Sequence, residues 1–560
     1  MLKNLVHGLH FNNLRGDLFG GLTAAVVALP LALAFGVSSG AGAIAGLYGA
    51  VFVGFFAALC GGTPSQISGP TGPMTVVITT VFAALTTQFG QDGIAMAFTV
   101  VMLGGLFQIL FGVLRLGQFI TLMPYTVISG FMSGIGLIII FLEIGPLLGY
   151  TSDSGVVEAI RQLPDQVAHP MGAATGIGIL TLAIVFAAPP KLNRILPAPL
   201  LALVVCTLAS LRLGDDALER IGAIPVGLPQ FYWPQFDLSQ IKIMVGYGLM
   251  LATLGAIDSL LTSLVADNVT QTQHDSDREL IGQGIGNTLA GLFGGLPGAG
   301  ATMRTVINVR AGGQTPLSGM IHALVLLTIV LGASGLTAKI PHTVLAGILI
   351  KVGIDIIDWG FLRRAHRVSL KAAGIMYGVM FLTVFVDLIT AVAVGVFVAN
   401  LLTIQNLSDL QIKSLKTVSS PFDPQANLSD LEQQLMAQSR DRILLFSLNG
   451  PMSFGAAKGI SRRMGIVGKY DVLILDLTEV PMLGVTAALA IENMVKEALA
   501  KRRTVFLVGL NGQVQTRLER LGLLYLLKPH QQGLTRLEAL QQAVDLIDDP
   551  LGEPVAVEEG

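Results

Sequence analysis

The sequence predicts a polytopic α-helical membrane protein made of two inverted halves, followed by a small α/β domain. Three observations carry that expectation. Hydrophobic residues fill 52% of the 560 positions and charged residues only 12%, whereas soluble domains carry about 25% charge. Apolar runs near the roughly 20 residues that cross a bilayer recur from about residue 17 to 405. Two Gly/Pro-rich breaks, "SGPTGPMT" and "LPGAGATMRT", interrupt those runs at matched offsets, about 53 residues after Asp17 and about 54 after Met244.

The first half is expected to span at 17–36, 41–60, 70–88, 94–114, 121–145, 172–188 and 198–212. After the polar, aromatic stretch "AIPVGLPQFYWPQFD", the second spans at 243–265, 279–294, 300–312, 316–334, 341–358, 369–385 and 387–405. The two repeats thus cover about 17–212 and 243–405 of a transport domain over 1–408. Fourteen spans bring Lys3, Arg15, Arg115, Lys191, Arg194, Arg363, Arg364, Arg367, Lys371, Lys413 and Lys416 to one side. Positive charge gathers on the cytoplasmic side, so both termini are expected there. Seven spans per half give the halves opposite orientations.

Other classes are excluded or disfavoured. A formal charge of −2 argues against nucleic acid as a partner. Cys60 and Cys206 fall in apolar segments, as buried thiols do, rather than as a disulfide or metal pair. The N-terminus lacks a compact apolar core with a small-residue cleavage site, so no removable signal is expected. HExxH and clustered Cys/His ligands are missing from the sequence, so an enzyme is not expected.

Paired breaks in corresponding positions point to the binding site of an inverted-repeat transporter. A helix that starts inside the membrane leaves unpaired N–H groups and about half a positive charge at its first turn. Two such starts favour an anion without any desolvated lysine or arginine. Thr71 and Thr302 can add hydroxyls, while Gly69, Gly72, Gly298 and Gly300 allow close backbone approach. The alternative is that these glycines only pack helices. In the eighth span, "LATLGAIDSLLTS" places Asp258 mid-membrane, where a carboxylate costs at least about 2.5–3.5 kcal/mol. Thr262 lies four residues on and shares its helical face. This oxygen-rich face suits a hard cation or a proton; an internal salt bridge to Arg304 is the competing reading. Arg304 itself either supplements the anion site or faces a cytoplasmic cavity. Glu143 and Asp387 read as span-end residues.

Charge arithmetic suggests coupling. Asp258 and an anion about 6 Å apart would repel by about 3 kcal/mol at an effective dielectric of 20, roughly a hundredfold in affinity. A cation held by Asp258, Thr262 and carbonyls of "PGAGAT" reverses that sign.

"HDSDRELIGQGIGNTLAGLFGGLPGAGATMRT", from His274 to Thr305, resembles the signature of the sulfate permease family of anion transporters, and "GGTPSQISGPTGPMT" is similar to its other broken-helix motif. The resemblance runs over nearly the whole chain. It implies seven-plus-seven inverted repeats, a core from spans 1–4 and 8–11, and a gate from spans 5–7 and 12–14. It also implies alternating access. Carried over by position, Asp258, Thr262, Gly300 and Thr302 are the implied cation ligands. Thr71, Gly72, Gly300, Ala301 and Thr302 are the implied anion contacts, with Arg304 as an added charge. Similarity to the family's sodium-dependent bicarbonate carriers implies Na⁺/bicarbonate symport across the plasma membrane. Proton-coupled sulfate or dicarboxylate symport, and an anion channel gated by the tail, are the alternatives.

Beyond a linker at 409–437, residues 438–550 resemble the STAS domain (sulfate transporter and anti-sigma-factor antagonist) that ends such proteins. "RILLFSLNG", "DVLILDL" and "TVFLVG" read as buried strands, and "GVTAALAIENMVKEALAKR" as an amphipathic helix. Gly484 and Val485 occupy the acid and hydroxyl positions of the usual phosphorylation loop, which speaks against regulation there. Thr486 reads as a helix cap. Docking and homodimerisation are the expected roles of this domain.

Overall fold

Hydrocarbon side chains recurring over whole turns leave the backbone no choice in a bilayer but to satisfy its own N–H and C=O groups as helix. The computed structural model describes residues 6–120, 123–151, 155–189, 197–213, 218–222, 229–237, 239–332, 338–418, 428–464 and 470–548. Lys3, Lys191 and Arg194, which entered the charge count, lie outside them. By packing, the chain divides into two units, Met1–Ala399 and Asn400–Gly560.

In the first unit a helix stands at each of the fourteen expected positions. They are α1 (Leu14–Ser38), α2 (Ala43–Cys60), α3 (Gly72–Phe89), α4 (Gln91–Val113) and α5 (Tyr125–Leu148), then, after α6 (Val156–Ala168), α7 (Gly172–Ala187) and α8 (Ala198–Ser210). The second half supplies α9 (Ile241–Thr270), α10 (Ser276–Leu292), α11 (Thr302–Arg310), α12 (Pro316–Gly332), α13 (His342–Ile356), α14 (Leu370–Phe385) and α15 (Leu388–Ser414), the last running on into the second unit. Among the described residues, seven of these are long and apolar enough to cross a membrane singly, or eight counting the bent pair α6–α7. Helix α6 was not expected. It is amphipathic, buries Ala159 and Gln166, and meets α7 at 108°.

The helices pack in two groups. Helices α1–α4 interlock chiefly with α9–α12, whereas α5 packs with α13 and α14, and α7 with α8 and α13. Asp387 behaves as a helix end, its Oδ1 accepting from the Thr390 N–H at 2.8 Å. Glu143 does not: it is 4% exposed.

The second unit is a five-stranded sheet in the order β3-β4-β5-β6-β7, with β3 Leu415–Val418, β4 Ile443–Asn449, β5 Val472–Glu479, β6 Thr504–Val508 and β7 Gln532–Leu534. Only β3 is antiparallel to its neighbour. Residues 415–418, inside the expected linker, therefore belong to the sheet. Alternation along the strands buries both faces. Leu444, Phe446, Leu473 and Leu475 face α17 (Phe454–Met464), α18 (Val485–Ala500) and α19 (Gly512–Arg520). Ile443, Leu445, Ile474 and Phe506 face α16 (Asp430–Gln438) and α20 (Arg536–Asp548). Gly484, not Thr486, is the N-cap of α18, and Thr486 is exposed.

Candidate functional site

The two breaks meet. Ser68–Pro70 (β1) and Gly298–Gly300 (β2) pair antiparallel, Ser68 opposite Gly300 and Pro70 opposite Gly298. Because the strands run in opposite senses, α3 and α11 leave the ribbon from opposite ends. All six ribbon residues are buried. A Cβ on Gly298 would lie 2.4 Å from the Gly69 carbonyl carbon, so this crossing requires glycine.

The first-turn N–H groups of both helices have no partner within their helix. Thr71, the N-cap of α3, makes no capping bond; its hydroxyl donates to Asp258 Oδ2 at 3.1 Å. Ala301, the N-cap of α11, has no polar side chain, and its N–H donates to Ile67 O at 2.9 Å. Thr302, in the first turn, shares a 2.8 Å hydrogen bond with Thr262, whose hydroxyl lies 3.0 Å from the Gly300 carbonyl. Asp258, holding Thr71, and Thr262, holding Thr302 and the Gly300 carbonyl, thus stand one turn apart on the same side of α9. Thr302 and Met303 are exposed and Asp258 is half-buried, so this side is open to a ligand. Asp258 also edges a small apolar recess with Val127, Phe131 and Val392.

Arg304 makes its contact with β1. It is 3% exposed, and its Nη2 donates to the Pro70 carbonyl at 2.7 Å. It is neither solvated nor ion-paired with Asp258, since no salt bridge among the described residues includes it.

Several buried groups that hold the breaks in place were not expected as site residues, although Glu279 and Asn287 lie in the family-like stretch from His274 to Thr305. Ser259 Oγ accepts from the Gly300 N–H at 3.0 Å. Asn287 clamps Gly298 twice, accepting from its N–H at 2.7 Å and donating to its carbonyl at 2.9 Å. Glu279 accepts from the Gly62 and Thr63 amides at 2.9 Å each, and from Gln66 and Gln283. Asp17 accepts from the Gln314 and Thr315 amides, fixing the start of α1 to the α11–α12 turn. For Ser259 and Asn287 the available signal was a polar residue inside an apolar helix, whereas Asp17 and Glu279 stand in first helical turns, where acids are common; once buried, each needs partners. Among the described residues there is no group of three His, Cys, Asp or Glu that could hold a metal ion.

Residues 14–379 match the sulfate permease family and 434–532 match the STAS domain. The chain belongs to the sulfate permease family. It is a multi-pass membrane transporter, not an enzyme, with a C-terminal STAS domain. It is 53% identical over 542 residues, 96% of each chain, to a protein named bicarbonate transporter BicA from Synechocystis sp.. A putative sulfate transporter of Bacillus subtilis, YvdB, is 29% identical over 92% of this chain and 96% of its own. Among solved structures, the transmembrane domain of a cyanobacterial bicarbonate transporter BicA matches with a TM-score of 0.65 and 56% identity, covering 68% of this chain and 98% of that one. Murine solute carrier 26 family member A9, an anion transporter solved in the inward-facing state, aligns over 96% of this chain and 92% of its own with a TM-score of 0.83. At 19% identity that likeness is one of fold.

Proposed function

We propose that this chain carries bicarbonate and Na⁺ together into the cell across the plasma membrane by alternating access. The observation that carries the reading is that Asp258, holding Thr71, and Thr262, holding Thr302 and the Gly300 carbonyl, stand one turn apart beside two open helix starts. The name of the relatives at 53% and 52% identity supports bicarbonate as the anion.

A hard cation takes oxygen ligands. One carboxylate, two hydroxyls and a carbonyl supply them with a single negative charge, which suits a monovalent ion. Na⁺ bound there cancels Asp258 and removes the repulsion an incoming anion would meet. The anion then lies between the starts of α3 and α11, against Thr71, Gly72, Gly300, Ala301 and Thr302. Free first-turn N–H groups and the two half-helix charges complement it. Because the Ala301 N–H is engaged by Ile67, Ala301 contributes close approach rather than a donor. Arg304 adds positive charge from behind β1.

In this reading residues 1–408 form the transport domain, with both termini in the cytoplasm. The STAS domain, taken as 438–550, joins two copies; the solution mass of the detergent-purified chain reads this, and a strict monomer would remove it. Labelled bicarbonate uptake into proteoliposomes at fixed pH, with and without Na⁺, tests the transport reading. Uptake should need Na⁺. Bicarbonate uptake indifferent to Na⁺ would refute it, proton-driven sulfate or dicarboxylate uptake would replace it, and single-channel currents would mark a channel.

A further inference from the structure

The seam between the two helix groups is apolar where α1 and α3 face α5 and α13. Phe35, Val76, Ile139, Leu142 and Leu349 line it together with Gly72, Thr75 and Thr79, and the two threonine hydroxyls are taken up by the Thr71 and Thr75 carbonyls rather than by the opposite group. Such surfaces can slide past each other with little change in contact energy, so they do not by themselves fix one position. At one end of the seam stands a polar contact. Ser38, the last residue of α1, donates its hydroxyl to Glu143 Oε1 of α5 at 2.6 Å, although the two residues are 105 apart in sequence. Glu143 is 4% exposed and belongs to no salt bridge among the described residues. A carboxylate in an apolar helix is costly unless it finds a partner. Here the partner belongs to the opposite helix group. Beside it opens a cavity lined by Tyr150, Thr151, Glu219 and His342. Its rim reaches solvent, since the Glu219 side chain is 57% exposed.

We propose that the Ser38–Glu143 hydrogen bond is a latch that fixes the two helix groups in one of two relative positions. When α1 moves along the seam, Ser38 withdraws and the carboxylate turns to the hydrated cavity, so Glu143 is satisfied in both positions but bridges the groups in only one. The proposal rests on the alternating-access reading given above and concerns a contact distant in sequence from the ion ligands.

The test reads the seam directly and needs no substrate. In full-length protein with Cys60→Ala and Cys206→Ala, Leu349→Cys supplies one thiol in the seam, and its maleimide modification rate is measured. Adding Ser38→Ala should raise that rate about tenfold, the scale of losing a hydrogen bond to a charged group; an unchanged rate overturns the latch. In the same cysteine-free background, Ser38→Cys with Glu143→Cys, joined by a short reducible bis-methanethiosulfonate, should lower uptake at least about tenfold until reductant is added. Undiminished uptake with the bridge confirmed by mass overturns it. A wild type that takes up no bicarbonate refutes the transport reading, while the modification rate still decides the latch.

Discussion

The starts of α3 and α11 are built on one plan and used differently. Both follow a glycine-bearing strand of the same ribbon, and both carry a threonine at the turn into helix. Helix α3 runs 18 residues, has Pro73 in its first turn, and reaches outward with one hydroxyl, from Thr71 to Asp258. Helix α11 runs only 9 residues, and α9 side chains surround its start: Ser259 holds the Gly300 N–H and Thr262 the Gly300 carbonyl. The glycines differ too. A Cβ on Gly72 would strike Ile356 and Ile139 of the other helix group, whereas one on Gly300 would strike Gln66 inside its own. Two copies of a broken helix have therefore specialised. The α11 end gathers oxygens, and the α3 end offers a donor and clearance at the seam.

The largest test of that division is Asp258→Asn. Na⁺-driven uptake should fall at least about a hundredfold while the purified variant keeps its elution volume; wild-type Na⁺ dependence would show that the cation does not bind beside α11. Next, Thr262→Ala removes the hydroxyl that joins Gly300 to Thr302, and the apparent Na⁺ affinity should weaken about tenfold, less than for Asp258→Asn. Thr71→Ala should leave Na⁺ affinity within about threefold and weaken bicarbonate instead; equal effects of the two threonines would erase the comparison. Gly72→Leu should stop uptake and also remove bicarbonate-induced thermal stabilisation, because Gly72 both touches the anion and clears the seam at Ile356 and Ile139; stabilisation that survives would take Gly72 out of the pocket. A smaller effect is expected at Asn287→Ala, which leaves Gly298 without its clamp and should cost about 1–3 kcal/mol of stability in a melt.

The smallest effect on the ends should come from the tail. Arg536 binds Glu432 at 2.7 Å and 3.1 Å. Burial pushes the Glu432 carboxyl up, but the Arg536 hydrogen bond and charge, with the backbone and side-chain hydrogen bonds of Ser429, outweigh it and leave it below its ordinary value. A carboxyl lowered by folding contributes stability above its unfolded pKa of about 4.3 and loses that contribution as pH falls through its folded value. The tail should therefore melt at lower temperature in acid, and Arg536→Ala should flatten that dependence. Bicarbonate affinity unchanged by Arg536→Ala would confirm that the two helix starts act without it.

What was legible in the sequence was periodic or punctuated. Apolar runs located the helices, and Gly/Pro breaks at equal offsets located the two segments that meet as a ribbon, because irregular backbone at membrane depth must be buried in protein or line a cavity. Asp258 stood out because a carboxylate is costly there. Strands β4, β5 and β6 of the tail read true since each is a short, mostly buried run, whereas the less buried β3 and β7 were not read as strands. Less legible were contacts between distant residues. Nothing local marks Arg304 for the Pro70 carbonyl, Asn287 for Gly298, or Glu143 for Ser38; the first pairing depends on how the halves cross, and the other two on how separate elements pack within one half. Thr486 was misread because a glycine with extended backbone can occupy the N-cap position that a hydroxyl usually takes.

The central claim is that cation and anion bind as a mutually dependent pair around Asp258. Bicarbonate affinity of the purified full-length chain, measured with and without Na⁺ at fixed pH and ionic strength, tests it most directly, since coupling between two ligands is reciprocal. Na⁺ should tighten bicarbonate binding by about tenfold or more in the wild type and have no effect in Asp258→Asn. Equal affinity with and without Na⁺ in the wild type would contradict the account.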